Sequence, residues 1–276
     1  MVKRVRKSNF VRLFDKTPAE DVCPHFYELI LSNGCPYNCL YCYLKLTFRG
    51  NKDPVLFTNE WHQVEKELNK YISGVFSTGE LADSLAIIPP LLGSAINYFR
   101  NQEDKYLLMT TKSTNIDLLL NEEPSKQIII SFSVNTVDAW KNYELKTPHP
   151  YDRIYSAMRL KKAGWKIRIR IDPIIAEDDI GKYEELIKRI NDLEPDLIKI
   201  GSLRQYPGLY RFEKRVPGKG LSRSSDGRLR YPIIKRAEIY SAIANWLNKE
   251  PALCKETKPL WKLLGWRFKG CNCTVA

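Results

Sequence analysis

The chain has 276 residues and a formal net charge of +12 at neutral pH, from 44 Lys and Arg against 32 Asp and Glu. A hydrophobic fraction of 43% is ordinary for a globular protein, and the basic excess favours polyanionic partners such as nucleic acid. No run approaches the ~20 apolar residues of a membrane span, and no apolar segment follows the basic N-terminus as in a secretory signal. Seven cysteines, an odd number with three close together, argue against a disulfide framework. We therefore expect a cytoplasmic protein without membrane contact.

Short apolar runs alternate with helical patterns along the chain, and six of these runs are predicted to be strands. Because parallel strands are joined through helices, the alternation predicts βαβ units. Eight such strands would close a barrel, whereas six predict an open, partial one; an open flavodoxin-like sheet is the structural alternative. The predicted strands are Tyr27–Leu31, Gly74–Phe76, Tyr106–Thr110, Gln127–Phe132, Lys166–Ile171 and Leu197–Ile200. The helical patterns are Trp61 to Leu68, an apolar segment from Leu81 to Phe99 broken at Pro89-Pro90, Tyr151 to Ala163 before Gly164, Tyr183 to Ile190, and Ile239 to Trp246.

Three cysteines, Cys35, Cys39 and Cys42, form a Cys-x-x-x-Cys-x-x-Cys group directly after the first predicted strand. A four-iron cluster usually takes four thiolates, so three leave one iron with an open position, whereas a structural zinc ion takes a closed tetrahedral shell. The spacing and the missing fourth ligand therefore favour a reactive iron–sulfur cluster. Two alternatives stay open: a zinc site completed by His25 or His62, and inert buried thiols.

Polar side chains follow all six predicted strands. Since chemistry in barrel folds takes place at the carboxyl ends of the strands, these residues are candidates for one common site. Turn chemistry accounts for any single one of them, but six positions on one face are harder to dismiss. They are Cys35 after the first strand, Thr78, Gly79 and Glu80 after the second, Lys112 after the third, Ser133 and Asn135 after the fourth, Asp172 after the fifth, and Ser202 with Arg204 after the sixth.

The most basic part of the chain lies between Arg204 and Arg236 and has aromatic residues between its cations. Cations contact phosphates and aromatic rings stack on bases, so this composition predicts a nucleic-acid surface. A turn at Asp226-Gly227 favours a hairpin here; a solvated loop is the alternative. The selected nucleic-acid contacts are Arg204, Arg215, Lys219, Arg223, Arg228 and Arg230, and the N-terminal residues Lys3, Arg4, Arg6 and Lys7 either add phosphate contacts or are disordered.

The run CPYNCLYCYL, which contains the three cysteines, resembles the cluster motif of the radical S-adenosyl-L-methionine (SAM) superfamily. The longer run CLYCYLKLTFRGNKDPVLFTN, together with MTTKSTNID and ISFSVN, is similar to spore photoproduct lyase and its relatives, from about Tyr27 to Arg204. The resemblance implies a partial (βα)6 TIM-type barrel, a 4Fe-4S cluster bound by Cys35, Cys39 and Cys42, and SAM bound at the open iron. In that family a 5′-deoxyadenosyl radical, made from SAM with one electron from the cluster, abstracts hydrogen from a crosslinked thymine dimer in DNA.

The resemblance also implies roles for the polar residues at the strand ends. Glu80 lies in an element that resembles the one contacting the SAM amino group, and a carboxylate accepts hydrogen bonds from an ammonium. Lys112 is expected to pair with the SAM carboxylate. The complete set of expected SAM contacts is Tyr41, Thr78, Glu80, Lys112, Ser133, Asn135 and Asp172.

The sequence departs from the lyases at their hydrogen-donating cysteine, which follows the second strand. Glu80 occupies that position, and a carboxylate cannot donate a hydrogen atom as a thiol can. We expect Cys271 or Cys273, in the tail run KGCNCTV, to be the donor, with Tyr43 as a relay. An auxiliary cluster or zinc site that also uses Cys23 is one alternative, and a metal-free tail is another.

We therefore predict a radical SAM enzyme that acts on a nucleic-acid base, in DNA rather than RNA, by a lyase or base-modifying reaction. Its expected redox partner is an electron donor such as flavodoxin or ferredoxin. The predicted organisation is a basic N-terminal arm at 1–22, a radical SAM partial barrel at 23–203, and a basic segment, final helix and cysteine-containing tail at 204–276 that pack on the barrel. Two other functions stay open: a radical SAM enzyme of another type, such as a nucleoside isomerase or peptide modifier, and a non-enzymatic zinc-bearing nucleic-acid-binding protein.

Overall fold

The computed structural model describes residues 1–176 and 179–275. The α-helices of these residues are α1 (Leu44–Thr47), α2 (Trp61–Leu68), α3 (Leu92–Arg100), α4 (Asp117–Leu120), α5 (Val137–Tyr143), α6 (Pro150–Lys162), α7 (Tyr183–Leu193), α8 (Ile233–Trp246) and α9 (Lys258–Leu264). The strands are β1 (Val2–Arg4), β2 (Val11–Phe14), β3 (Asp21–Val22), β4 (Phe26–Leu29), β5 (Ser32–Asn33), β6 (Asn38–Cys39), β7 (Val55–Phe57), β8 (Gly74–Ser77), β9 (Lys105–Thr111), β10 (Ile128–Ser133), β11 (Glu144–Leu145), β12 (Lys166–Ile174), β13 (Leu197–Ser202), β14 (Arg204–Gln205), β15 (Ser222–Arg223), β16 (Leu229–Arg230), β17 (Ala252–Leu253) and β18 (Glu256–Thr257).

The main sheet contains all six predicted strands, β4, β8, β9, β10, β12 and β13, paired in parallel in chain order. Two further strands extend it within the described residues: β17 pairs in parallel with β13 at one edge, and β2 pairs antiparallel with β4 at the other. The fold is thus a partial TIM-type barrel with one added strand at each edge. The predicted fold class is confirmed.

The faces of the strands explain why this sheet forms a barrel. Side chains alternate between the two faces of a strand. Ile128, Ile130 and Phe132 of β10 belong to the large core formed with the outer helices, whereas Ile129 belongs to a small separate cluster with Phe26, Val75 and Leu108. The small cluster lies on the inner face, where it occupies only part of the space. The rest of that face is polar, which leaves room for a site.

The predicted helices α2, α6, α7 and α8 are present, and α3 begins two residues after Pro90. Helix α6 is followed by Gly164, whose φ of +96° is the left-handed conformation expected of a glycine at that position. The described residues contain no helix with the length and apolar character required to cross a membrane.

The N-terminal residues are part of the fold. Strand β1 pairs with β7, β2 forms an edge of the main sheet, and β3 pairs with β18. A single sequence shows the basic residues of this segment but not the backbone with which they pair. Residues 1–22 thus pair with strands from three other parts of the chain, and the division of the chain at residue 22 stays a prediction.

Candidate active site

A cavity of about 490 Å³ lies at the carboxyl-terminal edge of the main sheet. Residues in the carboxyl-terminal half of β9 and β10, in β12 and β13, or in the segments that follow β4, β8, β9 and β13, line it, as the barrel prediction requires. All seven cysteines of the chain line this same cavity, three from the loop after β4 and four from elsewhere. The cavity is therefore the place where the thiol chemistry of this protein is concentrated.

The loop with Cys35, Cys39 and Cys42 is held by backbone contacts. Gly34 has a φ of +78°, and a Cβ there would collide with the carbonyl oxygens of the neighbouring 52–53 segment. The N–H of Cys35 donates to Lys52 O at 2.8 Å, and Lys52 Nζ donates back to Cys35 O at 2.9 Å. Cys39 is 7% exposed, and burial raises the pKa of the Cys35 thiol to about 12 in the metal-free chain.

A buried ion pair supports this loop from behind. Cys39 in β6 pairs with Glu144 in β11, and the Glu144 carboxylate contacts Arg153 Nη1 at 2.6 Å and Lys112 Nζ at 3.9 Å. The Tyr41 hydroxyl, between two of the cysteines, donates to Glu144 Oε1. Burial alone would raise the pKa of Glu144, but Arg153 and Lys112 outweigh it and hold that pKa below its ordinary value.

The ends of β8 and β9 are joined by Asp83, which the sequence analysis did not select. Asp83 Oδ1 accepts from the Thr111 hydroxyl at 2.6 Å, and Oδ2 accepts from the N–H of Lys112 at 2.7 Å. Gly79 lies close to the same strand, since a Cβ there would be 2.6 Å from the Cβ of Thr110. These contacts bring Glu80 and Lys112 to the cavity wall.

Three cations and one carboxylate form a basic wall of the cavity, made by β12, β13 and the start of β14. Asp172 contacts Arg204 Nη2 at 2.7 Å, Lys199 Nζ at 3.0 Å and Arg170 Nη2 at 3.2 Å. Burial alone would raise the pKa of Asp172, but the three cations lower it well below its ordinary value. The group therefore keeps a net positive charge that faces the cavity.

The C-terminal tail enters the inner face of the barrel. Arg168 Nη1 donates to the carbonyl oxygens of Cys271, Asn272 and Thr274 at 3.2, 2.7 and 2.8 Å. The Ser131 hydroxyl donates to Asn272 Oδ1 at 2.8 Å, and Asn272 is fully buried. These contacts place Cys271 and Cys273 in the cavity wall.

The structure brings most of the expected SAM contacts to one place. Tyr41, Glu80, Lys112, Ser133 and Asp172 line the cavity, as do Tyr43, Cys271 and Cys273, the expected donors and relay. The Tyr43 hydroxyl donates to the backbone carbonyl of Glu80. The catalytic and SAM-binding roles of these residues stay predictions.

Two of the expected SAM contacts are turned elsewhere. The Thr78 hydroxyl lies 2.8 Å from Ser84 Oγ, and Asn135 donates to Pro173 O at 2.9 Å while accepting from the Tyr183 hydroxyl at 2.7 Å. Neither residue lines the cavity. Both sit at strand ends as expected, but Thr78 contacts Ser84 in the following turn, and Asn135 contacts Pro173 in β12 and Tyr183 in α7.

The predicted hairpin forms from β15 and β16, and β14 adds a third strand. Gly227 takes a φ of +79° at its turn. Arg215, Lys219 and Arg223 are exposed, as a nucleic-acid contact requires.

The other three selected cations are in ion pairs. Arg204 pairs with Asp172, and Arg228 lies 3.3 Å from Asp21. Both arginines also line the cavity. The prediction for Arg230 needs correction. Its side chain is 1% exposed and contacts Asp21 and Asp226, so burial and charge pairing make it a support of the hairpin.

The donor set at the loop fits an iron–sulfur cluster better than a single ion. Among the described residues, no three His, Cys, Asp or Glu side chains are close enough together to hold one metal ion. His25 and His62 are exposed and outside the cavity lining, so they do not complete a zinc site there. Thiolates of a four-iron cluster bind separate irons and need not converge on one point.

Arg170 and Lys199, which contact Asp172 in the cavity wall, were not among the site residues predicted from the sequence. The pattern of their strands nevertheless indicates them. Strand β12 alternates Ile with Lys or Arg, and β13 contains the similar run LIKI. From the sequence alone, this alternation indicates a solvent-exposed or anion-contacting face. The structure shows that this face points into the barrel.

A partial parallel barrel whose first strand leads into three closely spaced cysteines defines the radical SAM class of proteins. The family model for spore photoproduct lyase matches residues 14–201, well over half of the sequence. The chain belongs to the spore photoproduct lyase family.

Curated relatives agree with this assignment. Spore photoproduct lyase of Clostridium acetobutylicum is 31% identical over 175 residues, which cover 60% of this chain and 52% of that protein. The Bacillus subtilis lyase is 24% identical over 182 residues, 63% of this chain and 53% of that protein. The chain thus spans about half the length of the curated relatives it matches.

Solved structures show the same fold. A spore photoproduct lyase complexed with dinucleoside spore photoproduct superposes with a TM-score of 0.74 at 19% identity, covering 91% of this chain and 81% of that one. A double mutant of the lyase with bound AdoMet and the same dinucleoside gives 0.70 at 19% identity, over 82% and 75% of the two chains. SuiB of Streptococcus suis gives 0.56 at 15% identity, over 83% and 48%.

Proposed function

We propose that this chain binds a 4Fe-4S cluster through Cys35, Cys39 and Cys42 and acts, with SAM, on a nucleic-acid base. The cluster would supply the electron that cleaves SAM to a 5′-deoxyadenosyl radical, while the protein supplies orientation and exclusion of side reactions. The observation that best supports this is the meeting of the three loop thiols and the strand-end polar groups in one cavity, in a chain of the spore photoproduct lyase family.

The chain offers complementary charges for an amino acid group beside the loop. The carboxylate of Glu80 lines the cavity and can accept from an ammonium group. The ammonium of Lys112 lies 5.9 Å from the centre of the Tyr41 ring and can pair with a carboxylate. Because the Tyr41 hydroxyl is already bound to Glu144, Tyr41 would offer its ring rather than its hydroxyl.

The charge around the cavity supports a nucleic-acid substrate. Arg170, Lys199 and Arg204 outnumber Asp172 inside it, and the exposed cations of the hairpin segment lie next to it in the chain. A base would have to leave its stack to reach the cavity, at a cost of a few kcal/mol that is smaller for a damaged base. The solved relative with a bound dinucleoside lesion supports a substrate of this class.

The particular reaction depends on Glu80. The lyases donate a hydrogen atom from a thiol that follows their second strand. In this chain the carboxylate of Glu80 occupies that position, so the hydrogen would come from another group. A DNA-lesion lyase and a base-modifying enzyme share the radical step and differ in the later fate of the substrate radical.

The test of radical generation is anaerobic iron–sulfur reconstitution followed by reduction with dithionite or flavodoxin in the presence of SAM. We expect a brown protein that forms 5′-deoxyadenosine, measured by liquid chromatography with mass spectrometry. Cys35→Ala, Cys39→Ala and Cys42→Ala should each reduce this product at least 100-fold. Asn51→Ser, an exposed change in the same segment, is the control that should leave it intact. Full activity in any one cysteine variant would contradict the proposed ligand set.

The substrate test compares nucleosides from ultraviolet-irradiated DNA, intact DNA and RNA after incubation with the reduced enzyme. We expect a SAM-dependent change in the nucleosides from DNA, detected by mass spectrometry. Robust 5′-deoxyadenosine formation with unchanged nucleosides in all three would reject the nucleic-acid substrate while keeping the radical enzyme.

A further inference from the structure

Four thiols of the cavity are unused by the proposed reaction site. Cys23, Cys254, Cys271 and Cys273 come from three separate segments, yet all line the same cavity as the cysteine loop. All four are free in the structure, and Cys271 is only 6% exposed. Cysteines that only fill the hydrophobic core would be distributed over several parts of the fold, whereas all seven cysteines here line one cavity.

Strand pairing brings two of these segments together. In the antiparallel β3–β18 pair, Val22 lies opposite Glu256 and Asp21 lies opposite Thr257. Cys23 directly follows Val22, and Cys254 and Lys255 directly precede Glu256. The pairing therefore brings the segment with Cys23 next to the segment with Cys254, and both cysteines line the cavity.

The tail supplies the other two thiols as a close pair. The N–H of Cys273 donates to Cys271 Sγ at 3.4 Å, and Arg168 fixes the carbonyls of this segment. The tail is thus held in a defined position that keeps both sulfur atoms at the cavity.

Cations surround the four thiols. Arg204 Nη2 lies 3.7 Å from Cys254 Sγ. Nη1 of the same guanidinium donates to the backbone oxygen of Cys254 at 2.8 Å. Lys199 and Lys255 also line the cavity, and the single charge of Asp172 offsets only one of the three positive charges that contact it. Positive surroundings stabilise thiolates, and they stabilise a cluster with four thiolate ligands because such a cluster carries net negative charge.

We propose that Cys23, Cys254, Cys271 and Cys273 bind a second iron–sulfur cluster, separate from the cluster of the three-cysteine loop. Its assembly replaces four S–H bonds with four bonds from iron to thiolate and releases the four thiol protons, while ferrous iron, ferric iron and sulfide are taken from the reconstitution solution in the ratio of the finished cluster, so that no further oxidant or reductant is needed. A single zinc ion is disfavoured because no three ligands among the described residues converge on one point. A thiolate bound to iron is not a hydrogen donor, so this assignment replaces the donor role expected for Cys271 and Cys273.

The experiment separates the two thiol groups in the full-length chain. The triple variant Cys35→Ala, Cys39→Ala, Cys42→Ala is reconstituted anaerobically with iron and sulfide, and iron, sulfide and zinc are counted per chain. We expect it to keep about two to four irons with equal sulfide, a brown colour and a reduced-state electron paramagnetic resonance signal. It should form no 5′-deoxyadenosine.

The complementary variant is Cys271→Ser, Cys273→Ser, which should lose that iron and signal while keeping the loop cluster and SAM cleavage. Val275→Ala, an exposed change in the same tail with both thiols intact, is the matched control and should keep the full metal content. Circular dichroism and gel filtration show whether each variant is folded. The single variant Cys254→Ser should also lose the iron and the signal of the second cluster.

A folded, colourless and iron-free triple loop variant would overturn the second cluster, as would one equivalent of zinc in place of iron. Neither result bears on the proposed function, which is tested by 5′-deoxyadenosine formation in the chain with an intact loop. Loss of that activity with retained tail iron would instead contradict the proposed function alone.

Discussion

The two thiol groups of the cavity are built in opposite ways. Cys35, Cys39 and Cys42 lie within eight residues of one loop, whereas Cys23, Cys254, Cys271 and Cys273 are assembled from three distant segments. The loop is supported by a buried ion pair between Glu144 and Arg153, and the tail is supported by hydrogen bonds from Arg168 to carbonyl oxygens. A group encoded in one motif is visible in the sequence, while a group made by the fold becomes visible only with the structure.

The largest effect is expected for the support of the loop. Glu144→Gln leaves the buried Arg153 cation without its carboxylate, so it should lower the free energy of unfolding by about 3–5 kcal/mol. Urea denaturation at neutral pH measures this loss. Asp138→Asn, which breaks an exposed pair with Lys182, is the matched control and should change the stability far less, because water and salt screen exposed pairs. Equal losses in the two variants would show that the Glu144 pair does not support the loop.

A smaller effect is expected for the support of the tail. Arg168→Met removes the donor shared by three carbonyl oxygens, and each unmade buried bond costs about 1–3 kcal/mol. Local opening of the tail should then raise the iodoacetamide reactivity of Cys271 and Cys273 about tenfold or more in the metal-free protein. Peptide mapping by mass spectrometry measures this.

The loop thiols should keep their reactivity in Arg168→Met, and the exposed change Arg189→Met should alter neither group. An equal rise in the iodoacetamide reactivity of the loop thiols and the tail thiols would mean that the two groups open together. It would contradict the inference that the loop and the tail are supported separately.

The pair between Lys45 and Glu213 joins the helix after Cys42 to the basic segment, with Nζ and Oε2 2.7 Å apart. Burial alone would raise the pKa of Glu213, but hydrogen bonds from Lys45 and from the N–H of Arg215 lower it to about 2. A carboxyl whose pKa falls on folding adds stability above its unfolded pKa of about 4.5, and that stability is lost as the pH falls toward 2.

The variant Glu213→Gln should therefore be less stable than the parent chain by about 1–2 kcal/mol above pH 5.5, after allowing for screening by solvent, and the difference should shrink between pH 4.5 and 2. Urea denaturation across this range measures it. Lys45→Met should show the same pH dependence. A difference that stayed constant with pH would exclude the pair as its cause.

The smallest effect concerns the side from which nucleic acid reaches the cavity. The basic segment is tied to the loop side by Glu213, so Lys214→Ala and Arg223→Ala should each weaken DNA binding a few-fold. Each lost phosphate contact should also lower the slope of log affinity against log salt by about 0.9 for duplex DNA. Fluorescence anisotropy at several salt concentrations measures both quantities.

Lys126→Ala is the control, because Lys126 lies at the opposite, N-terminal end of β10. It should leave affinity and slope unchanged. A comparable loss in that variant would indicate diffuse binding to a basic surface instead of a defined side.

The sequence predicts the parts of this molecule that rest on local patterns. The six parallel strands follow from apolar runs and turns, and the cysteine loop follows from its spacing. Strands β2 and β17 are short, and their pairing is decided by the strands beside them, so no local pattern reveals them.

The side chains of the site also differ in whether a local sequence pattern or a distant contact decides their position. Alternation in β12 shows that Arg168 and Arg170 share a face but not that this face points inward. The contact between Arg168 and the tail spans about 100 residues of chain, which a single sequence does not encode in any readable pattern. Thr78 and Asn135 lie at strand ends as predicted, yet their neighbours Ser84 and Tyr183 draw their side chains away from the cavity.

The way Arg168 holds the tail has a practical consequence. Its guanidinium binds main-chain oxygens and so fixes the path of the tail, while Ser131 adds one side-chain contact at Asn272. A short synthetic peptide with the same backbone path should therefore dock in trans to a chain cut before Cys271. Such a peptide would allow selenocysteine or isotopic labels to be introduced at either sulfur without altering the rest of the protein.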